Sequence, residues 1–444
     1  MNKITKAYID YFNHNKELVL EDYFETIKKV EQSNAKYKGK TIPFLYQPIL
    51  FSSEEVKEFK EIVNTLMSIT DKVVKQYLES ENYRKKFGFS QVLEELILVE
   101  QGYKVGVPIG RFDLFYGGKD QYTFCEFNTD GSSAMNEDNT LSKIILDTLP
   151  IKGLSDEFEI NYCELFDSWV EECLELYQQF NHNLDKPHIG IVDFKESGTP
   201  TDFIEFKKAY ERKGLEAIIC DPRDLELKED GLYFGDFKID LIYRRIVTRE
   251  MIDRINEVKP LIEAYRKGQV CLIGPVKSQI MHNKIIFKIL HDEDTLKFLT
   301  KSERDFIKNH IPYTDLFNNE EALLKVINHK DQYVVKPLDL YASKGVYVGL
   351  DFSQKEWENI LKGCINSDYI YQSFCRPYQR QFVYYNHEKG DLEVQDFGFI
   401  LGLFIYNQKW TGFYTRVGRK PIISGYSEYF SVASLISKEK KADD

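Results

Sequence analysis

Four side chains suited to a metal–phosphate site stand at two-residue spacing. Arg111 and Asp113 open the segment VPIGRFDLFYGGKDQYTFCEFN, and Glu126 and Asn128 close it. The segment reads as a hairpin, two β-rich runs around GGKD. On a strand, residues two apart share a face. A tight turn centred between Lys119 and Asp120 sets Asp113 opposite Glu126 and Arg111 opposite Asn128. A register shift of two keeps all four on one face; a shift of one separates them. Carboxylate and amide oxygens gathered in this way suit Mg²⁺, with phosphate oxygens and water completing its octahedron. An exposed polar face with a cross-strand ion pair is spelled the same way. Cys125 alternates to the opposite face and reads as packing. The run that follows, NTDGSSAMNE, is small and polar, as loops beside sites are.

The cations come later. In YVVKPLDLYASKGVYVG a strand delivers Lys336, Pro337 stops it, and a small-residue loop leads to Lys344 and Gly345. Such a loop can close over phosphates with its backbone N–H groups. It is neither a GxxxxGK[ST] loop nor a GxGxxG turn after a strand. In GPVKSQIMHNKIIFKIL, Asn283 is placed to cap a helix whose first turn carries Lys284, aimed at an anion; a solvated surface lysine is the plainer alternative. SDYIYQSFCRP ends in Gln372 and Ser373, groups that can meet adenine or simply leave the sheet at its edge. In GLFIYNQKWTGFYTRVGRKP, NQK reads as a turn, the return strand carries Arg416, and Arg419 follows. A strand-borne guanidinium beside phosphate stabilises a transferring phosphoryl group; on a surface it makes an ion pair.

These groups need elements to hold them, and 444 residues allow two or three domains with a large core. The 14% aromatic content fits half-buried sheet surfaces. A formal charge of −12 weighs against a nucleic-acid partner, though a local cluster of cations can still bind a free nucleotide. Seven widely spaced cysteines without a CxxC argue for reduced thiols in a cytoplasm, and no HExxH is present. The first twenty residues lack a leader's apolar stretch, and no apolar run is long enough to span a membrane.

Residues 1–106 read as helical, with a capping box at Ser52 and Glu55 and a stripe of Val56, Phe59, Ile62, Val63, Leu66 and Met67. Residues 107–185 hold the hairpin and helices. A β-α-β rhythm over 186–270, from KPHIGIVDF through LEAIICDP to DLIYRRIV, predicts a small parallel sheet. Residues 271–436 are α+β with a largely antiparallel sheet, and 437–444 form a charged, frayed tail.

Taken in order, RFD, EFN, NK before a helix, VVKP with a glycine-containing loop, YIYQSF and GFYTR resemble the circularly permuted ATP-grasp ligases, glutathionylspermidine synthases in particular. The resemblance covers about residues 107–433, least clearly between 150 and 270. It implies an α+β, permuted ATP-grasp fold with a small Rossmann-like α/β subdomain for a second substrate. It implies ATP and Mg²⁺ as cofactors, with Asp113, Glu126 and Asn128 as metal ligands. Arg111 and Arg416 contact phosphate in this correspondence. Lys284, Lys336, Lys344, Gly345 and Gln372 bind the nucleotide. The activity implied is ATP-dependent ligation of a small-molecule or peptide-like carboxylate to an amine through an acyl phosphate. An ATP-binding scaffold and a phosphotransferase are the alternatives. Where those synthases carry a GREG-like loop this chain has YASKG, and the amidase domain fused to some of them is missing.

Overall fold

The computed structural model of the chain describes residues 2–340, 344–423 and 428–440. Its centre is an eight-stranded sheet drawn from both ends of the sequence. The path runs Phe44–Ser52, Phe430–Glu439, Lys409–Gly418, Asp391–Tyr406, Ile109–Gly118, Gln121–Asn128. Gln379–Asn386 pairs with Asp391–Tyr406 away from this path, and Phe158–Tyr162 with Phe430–Glu439. The second half of Asp391–Tyr406, from Phe397 to Tyr406, is buried throughout, so both its faces are covered. Asn407 and Gln408, both at positive φ, make the turn that NQK predicts.

The N-terminal region is mainly helical, but it also supplies a strand. Phe44–Ser52 contains Pro48, which argues against a central strand; at the sheet edge a proline is tolerated. Its parallel pairing with Phe430–Glu439 jumps from Leu45 to Ile49, so the proline falls in the skipped stretch. The helix Ser53–Glu79 follows at once. Its capping box forms at Ser52 and Glu55, and its whole apolar stripe is buried. Phe51 and Phe59 pack on Phe413 of the central sheet. The end of the chain differs from expectation as well. Ser437, Lys438 and Glu439 are paired strand residues rather than a frayed tail, because Phe158–Tyr162 offers them a ladder. Residues 441–444 lie outside the described residues.

Two smaller sheets flank the central one. A parallel sheet has the order Cys271–Ile273, Leu241–Arg244, Ile189–Val192, Ala217–Cys220, with the helix Pro200–Arg212 crossing between the last two. An antiparallel sheet has the order Thr314–Leu316, Tyr369–Ser373, Tyr333–Pro337, Tyr347–Val348. Its core is Phe317, Val326, Val335, Trp357 and Leu361, closed by the helices Glu320–Asn328 and Gln354–Cys364. All seven cysteines are unpaired. Among the described residues no helix is long and apolar enough to cross a membrane.

Candidate functional site

Two cavities meet at Glu126 and Arg416, which border both. The smaller, about 90 Å³, lies between the central and antiparallel sheets, among Phe115, Lys284, Lys336, Val348, Gln372 and Ile400. The larger, about 310 Å³, faces the carboxyl ends of the parallel strands, with Asp193, Arg245, Glu137 and Tyr414 on its wall. That is where open α/β sheets take ligands: strand order reverses between Ile189–Val192 and Leu241–Arg244, and Asp193 and Arg245 directly follow those strands.

The hairpin brings its four residues together in the expected register, Arg111 opposite Asn128 and Asp113 opposite Glu126. A bulge follows at once, because Leu114 faces Phe124. Cys125 is the residue skipped. It packs against Phe115, Ile400 and Ile423, as expected, and also borders the smaller cavity.

Asp113 is fully buried and held from three sides. Arg111 donates Nε to Oδ1 at 2.6 Å and Nη2 to Oδ2 at 3.0 Å. Arg416 donates Nη2 to Oδ2 at 2.8 Å, and the Asn128 amide reaches the same oxygen at 3.2 Å. Burial raises the Asp113 pKa, and the two guanidinium groups offset only part of that rise. The same Asn128 amide donates to Glu126 Oε1 at 3.1 Å, so it ties the two carboxylates into one cluster. Burial alone would push the Glu126 carboxyl up. Lys284 and Arg416 outweigh it, with help from Asn128 and Lys336, and bring it down to about 2. Glu126 is therefore a buried, charged carboxylate at the junction of the cavities. Glu126 and the Asn128 amide oxygen are hard donors beside a cluster of cations, of the kind Mg²⁺ shares with phosphate; both Asp113 oxygens are already bonded, and among the described residues no three acids, histidines or cysteines gather as a metal site. Glu126 and Asn128 border the cavities, and Asp113 stands behind them.

Lys336 and Gln372 are neighbours across a strand pair, and the Lys336 ammonium donates to Gln372 Oε1 at 2.8 Å and to the Cys125 carbonyl at 3.2 Å. Burial lowers the Lys336 pKa. Gln372 is held in turn by Thr314, to which its amide donates at 2.9 Å. Lys284 is buried rather than solvated, and its ammonium donates to the Leu340 carbonyl at 3.0 Å. Asn283 does steady this turn, accepting from the Ile285 N–H at 3.1 Å, but the helix it precedes is a single turn, Ile286–Ile289. Lys344 and Gly345 immediately precede Val346, which lines the smaller cavity. Tyr341, Ala342 and Ser343 of the YASKG loop lie outside the described residues, and with them its closure over a nucleotide. Arg419 is apart from the site, in an exposed ion pair with Glu428 at 2.8 Å.

Several site residues are not singled out by spacing, although Tyr414 stands inside GFYTR. Gly402 lies opposite Asp113, and a Cβ there would come within 2.6 Å of Arg111 and 2.9 Å of Asp113. Tyr414 shares a strand face with Arg416. Both Arg111 and Arg416 lie over its ring, at 5.1 and 5.2 Å, and its hydroxyl donates to Glu137 at 2.7 Å. Burial lifts the Glu137 carboxyl to about 7; the Tyr414 bond opposes the rise and Asp202 adds to it. Burial likewise lifts Asp193 to about 7 against the pull of Arg245. The SSAMNE string marks a loop leading into a helix, but nothing in it shows which acid faces the cavity.

Residues 28–434 match the family model described as glutathionylspermidine synthase preATP-grasp. No curated protein matches the chain. Among solved structures, a glutathione synthetase-like effector from Globodera pallida in apo form is similar with a TM-score of 0.58 at 10% identity; the alignment covers 94% of this chain and 97% of that one. It shows the same fold. A protein provisionally named gamma-glutamylcysteine synthetase from Methylobacillus flagellatus aligns at 11% identity over 81% of this chain and 84% of its own, TM-score 0.43. An ATP-grasp RimK-domain protein from Sphaerobacter thermophilus aligns at 15% identity over 56% and 90%, TM-score 0.29. The last two are too distant to argue from.

Proposed function

The chain belongs to the glutathionylspermidine synthase preATP-grasp family, and on that premise we propose that it is an ATP- and Mg²⁺-dependent ligase joining a carboxylate to an amine. The observation that carries the reading is the junction: a charged carboxylate and a guanidinium, Glu126 and Arg416, stand where two cavities of different character meet. In this reading the smaller, more apolar cavity takes adenine, with Gln372 at its edge. Lys284, Lys336 and the Lys344–Gly345 loop face the phosphates. Glu126 and Asn128, with Asp113 behind them, would hold Mg²⁺, which would supply neutralisation of phosphate charge and orientation of the transferring group. The order in the chain, acids before lysines, is that of the permuted ATP-grasp enzymes.

The larger cavity takes the acid and the amine. A substrate carboxylate oxygen attacks the γ-phosphorus of ATP, ADP leaves, and an acyl phosphate remains. The amine then displaces phosphate. Such transfer needs positioning and charge stabilisation more than covalent help from protein. Arg416, and Arg111 behind it, take up the charge that develops. Losing one such contact lowers the rate by ~100–1,000-fold. ATP as cosubstrate and seven unpaired thiols suit a cytoplasmic enzyme with small-molecule or peptide-like substrates.

The test is a screen of carboxylate and amine pools with Mg-ATP, read by ADP and phosphate release and by mass spectrometry of the new amide. Amine-dependent ADP release with an amide product supports the ligase. A phosphorylated product without amide points to a phosphotransferase, and ATP binding without turnover to a scaffold.

A further inference from the structure

We infer that Glu137 is the base that accepts the attacking amine's proton during amide formation, an assignment that rests on the ligase reading. Glu137 sits in the first turn of the helix Met135–Leu146, on the wall of the larger cavity. That helix begins at Ala134, which is in the left-handed conformation and offers no side-chain cap. Asp202 from the helix Pro200–Arg212 supplies it instead, accepting from the Ala134 and Asn136 N–H groups at 3.3 and 2.9 Å. The first turn is thereby fixed against the cavity, and Glu137 with it.

The Tyr414 hydroxyl holds Glu137 Oε2 at 2.7 Å, and Tyr414 stands two residues from Arg416 on the same strand face. The carboxylate is thus tethered to the strand that carries the phosphate-facing arginine, and its other oxygen meets no hydrogen-bond donor among the described residues. Most other acids of this wall are engaged. Asp130 is bonded by Arg244, Glu196 by Arg223 and Arg254, and Glu250 by Ser197 and Arg254. Asp193, which accepts from the Phe194 N–H, is the rival; it lies on the parallel-sheet side, away from the Tyr414 tether.

The charged and titratable groups around Glu137 are Tyr414 and Arg416 from one strand, Arg111 from the hairpin, Asp202 from the neighbouring helix, Asp138 beside it on its own helix, and Tyr429 from the segment before the last strand. Burial, opposed chiefly by the Tyr414 bond, leaves the carboxyl at about 7, where it can both take and release a proton at neutral pH. In the step itself the alkylammonium gives one proton to Glu137, the freed nitrogen lone pair forms the C–N bond, and the nitrogen's second proton leaves with the phosphate. The C–O bond to phosphate breaks, and its electron pair leaves on phosphate. Tyr414 is a positioning residue.

The experiment compares two nucleophiles in the full-length chain, using the acid and amine from the screen above. Hydroxylamine is largely neutral at pH 7 and needs no base; an alkylamine does. Glu137→Gln should lower amide formation by ~100-fold or more and leave hydroxamate formation within a few-fold of wild type. The rise of amide formation with pH through about 7 should vanish in Glu137→Gln. It should move upward in Tyr414→Phe, because the hydroxyl's bond favours the charged carboxylate. Full-length protein labelled at the glutamate carboxyl carbon should show a resonance titrating near 7 that is absent from Glu137→Gln. Equal loss with both nucleophiles, or a pH limb that survives in Glu137→Gln and disappears in Asp193→Asn, would overturn the assignment. So would the lack of such a resonance. Absence of ADP release by wild type with every acid, hydroxylamine present, would instead defeat the ligase reading itself.

Discussion

At the scale of single residues, the site is a cluster of buried charges that hold one another in place, and each pairing sets an expectation. Arg416 bonds Asp113 as well as facing the cavities, so removing it does more than delete a surface charge. Arg416→Ala should cut turnover ~100–1,000-fold. Arg416→Lys should fail similarly, because an ammonium lacks the planar fork that spans Asp113 and phosphate at once. Steady-state ADP release checks both, and wild-type turnover in the Lys variant would remove Arg416 from the mechanism. Lys336→Met should weaken ATP binding and also free Gln372, its hydrogen-bond partner; calorimetric titration with ATP reads the loss. Glu126→Gln should abolish the extra thermal stabilisation that Mg²⁺ adds to ATP. A bound ligand stabilises by RT ln(1+[L]/Kd), about 2.7 kcal/mol at a hundredfold excess. Equal melting shifts with ATP and Mg-ATP in wild type would remove the metal from this cluster. Glu137 adds a pH dependence. Its folded-state carboxyl, at about 7, keeps a proton that the unfolded chain releases near ~4.3. Its contribution to stability is therefore full at low pH and is lost as pH rises through 7. Denaturation midpoints followed from pH 4 to 8 should fall less steeply in Glu137→Gln than in wild type.

At the scale of elements, the site depends on how closely strands approach. The Arg111–Asp113 pair occupies the space that a side chain at position 402 would fill. Gly402→Ala should force the pair apart, lowering stability by about 1–3 kcal/mol and turnover by more than stability explains. Urea denaturation alongside ADP release separates the two effects. The hairpin needs an anchor on its other side too. Gly131, at φ +60, passes so close to the parallel sheet that a Cβ would meet Val247 at 2.8 Å and the Arg245 carbonyl at 2.9 Å. The loop after Asn128 is thus seated by contact with a different sheet, and Arg245 also donates to its Ser132 carbonyl.

At the scale of the whole molecule, one buried ion pair joins the central sheet to the parallel sheet. Arg244 donates to Asp130 at 2.6 Å and to the carbonyls of Gly274 and Pro275, while Asp130 also accepts from the Thr248 N–H and hydroxyl at 2.6 and 3.0 Å. Both side chains are essentially inaccessible to solvent. Removing one partner strands the other charge in the interior, so Arg244→Met should destabilise the protein by about 3–5 kcal/mol. Asp130 also borders the larger cavity, so loosening this clamp should raise KM for the carboxylate or amine even where folding survives. Chemical denaturation and substrate titration of the variant check the two parts.

Much of this was legible from spacing. A period of two put Arg111, Asp113, Glu126 and Asn128 on one face, because alternation along a strand is a local property and a hairpin turn sets the register between adjacent strands. The β-α-β rhythm marked the parallel sheet, and the capping box at Ser52 marked the start of its helix, for the same local reason. The edge strand Phe44–Ser52 and the pairing of Ser437–Glu439 were hidden, since each needs a partner far away in the sequence to become a strand. The bulge that turned Cys125 toward a cavity breaks the alternation on which the sequence reading relied. Lys284 looks like a surface lysine in its own string and is buried only because the Leu338–Leu340 segment closes over it. Glu137 and Tyr414 are 277 residues apart, and no local pattern relates them. Sequence thus determined which groups could do chemistry and which short elements carry them. Which carboxylates stay charged, which acid Tyr414 tethers and where two cavities meet were decided by tertiary packing, because burial and long-range contact set those properties.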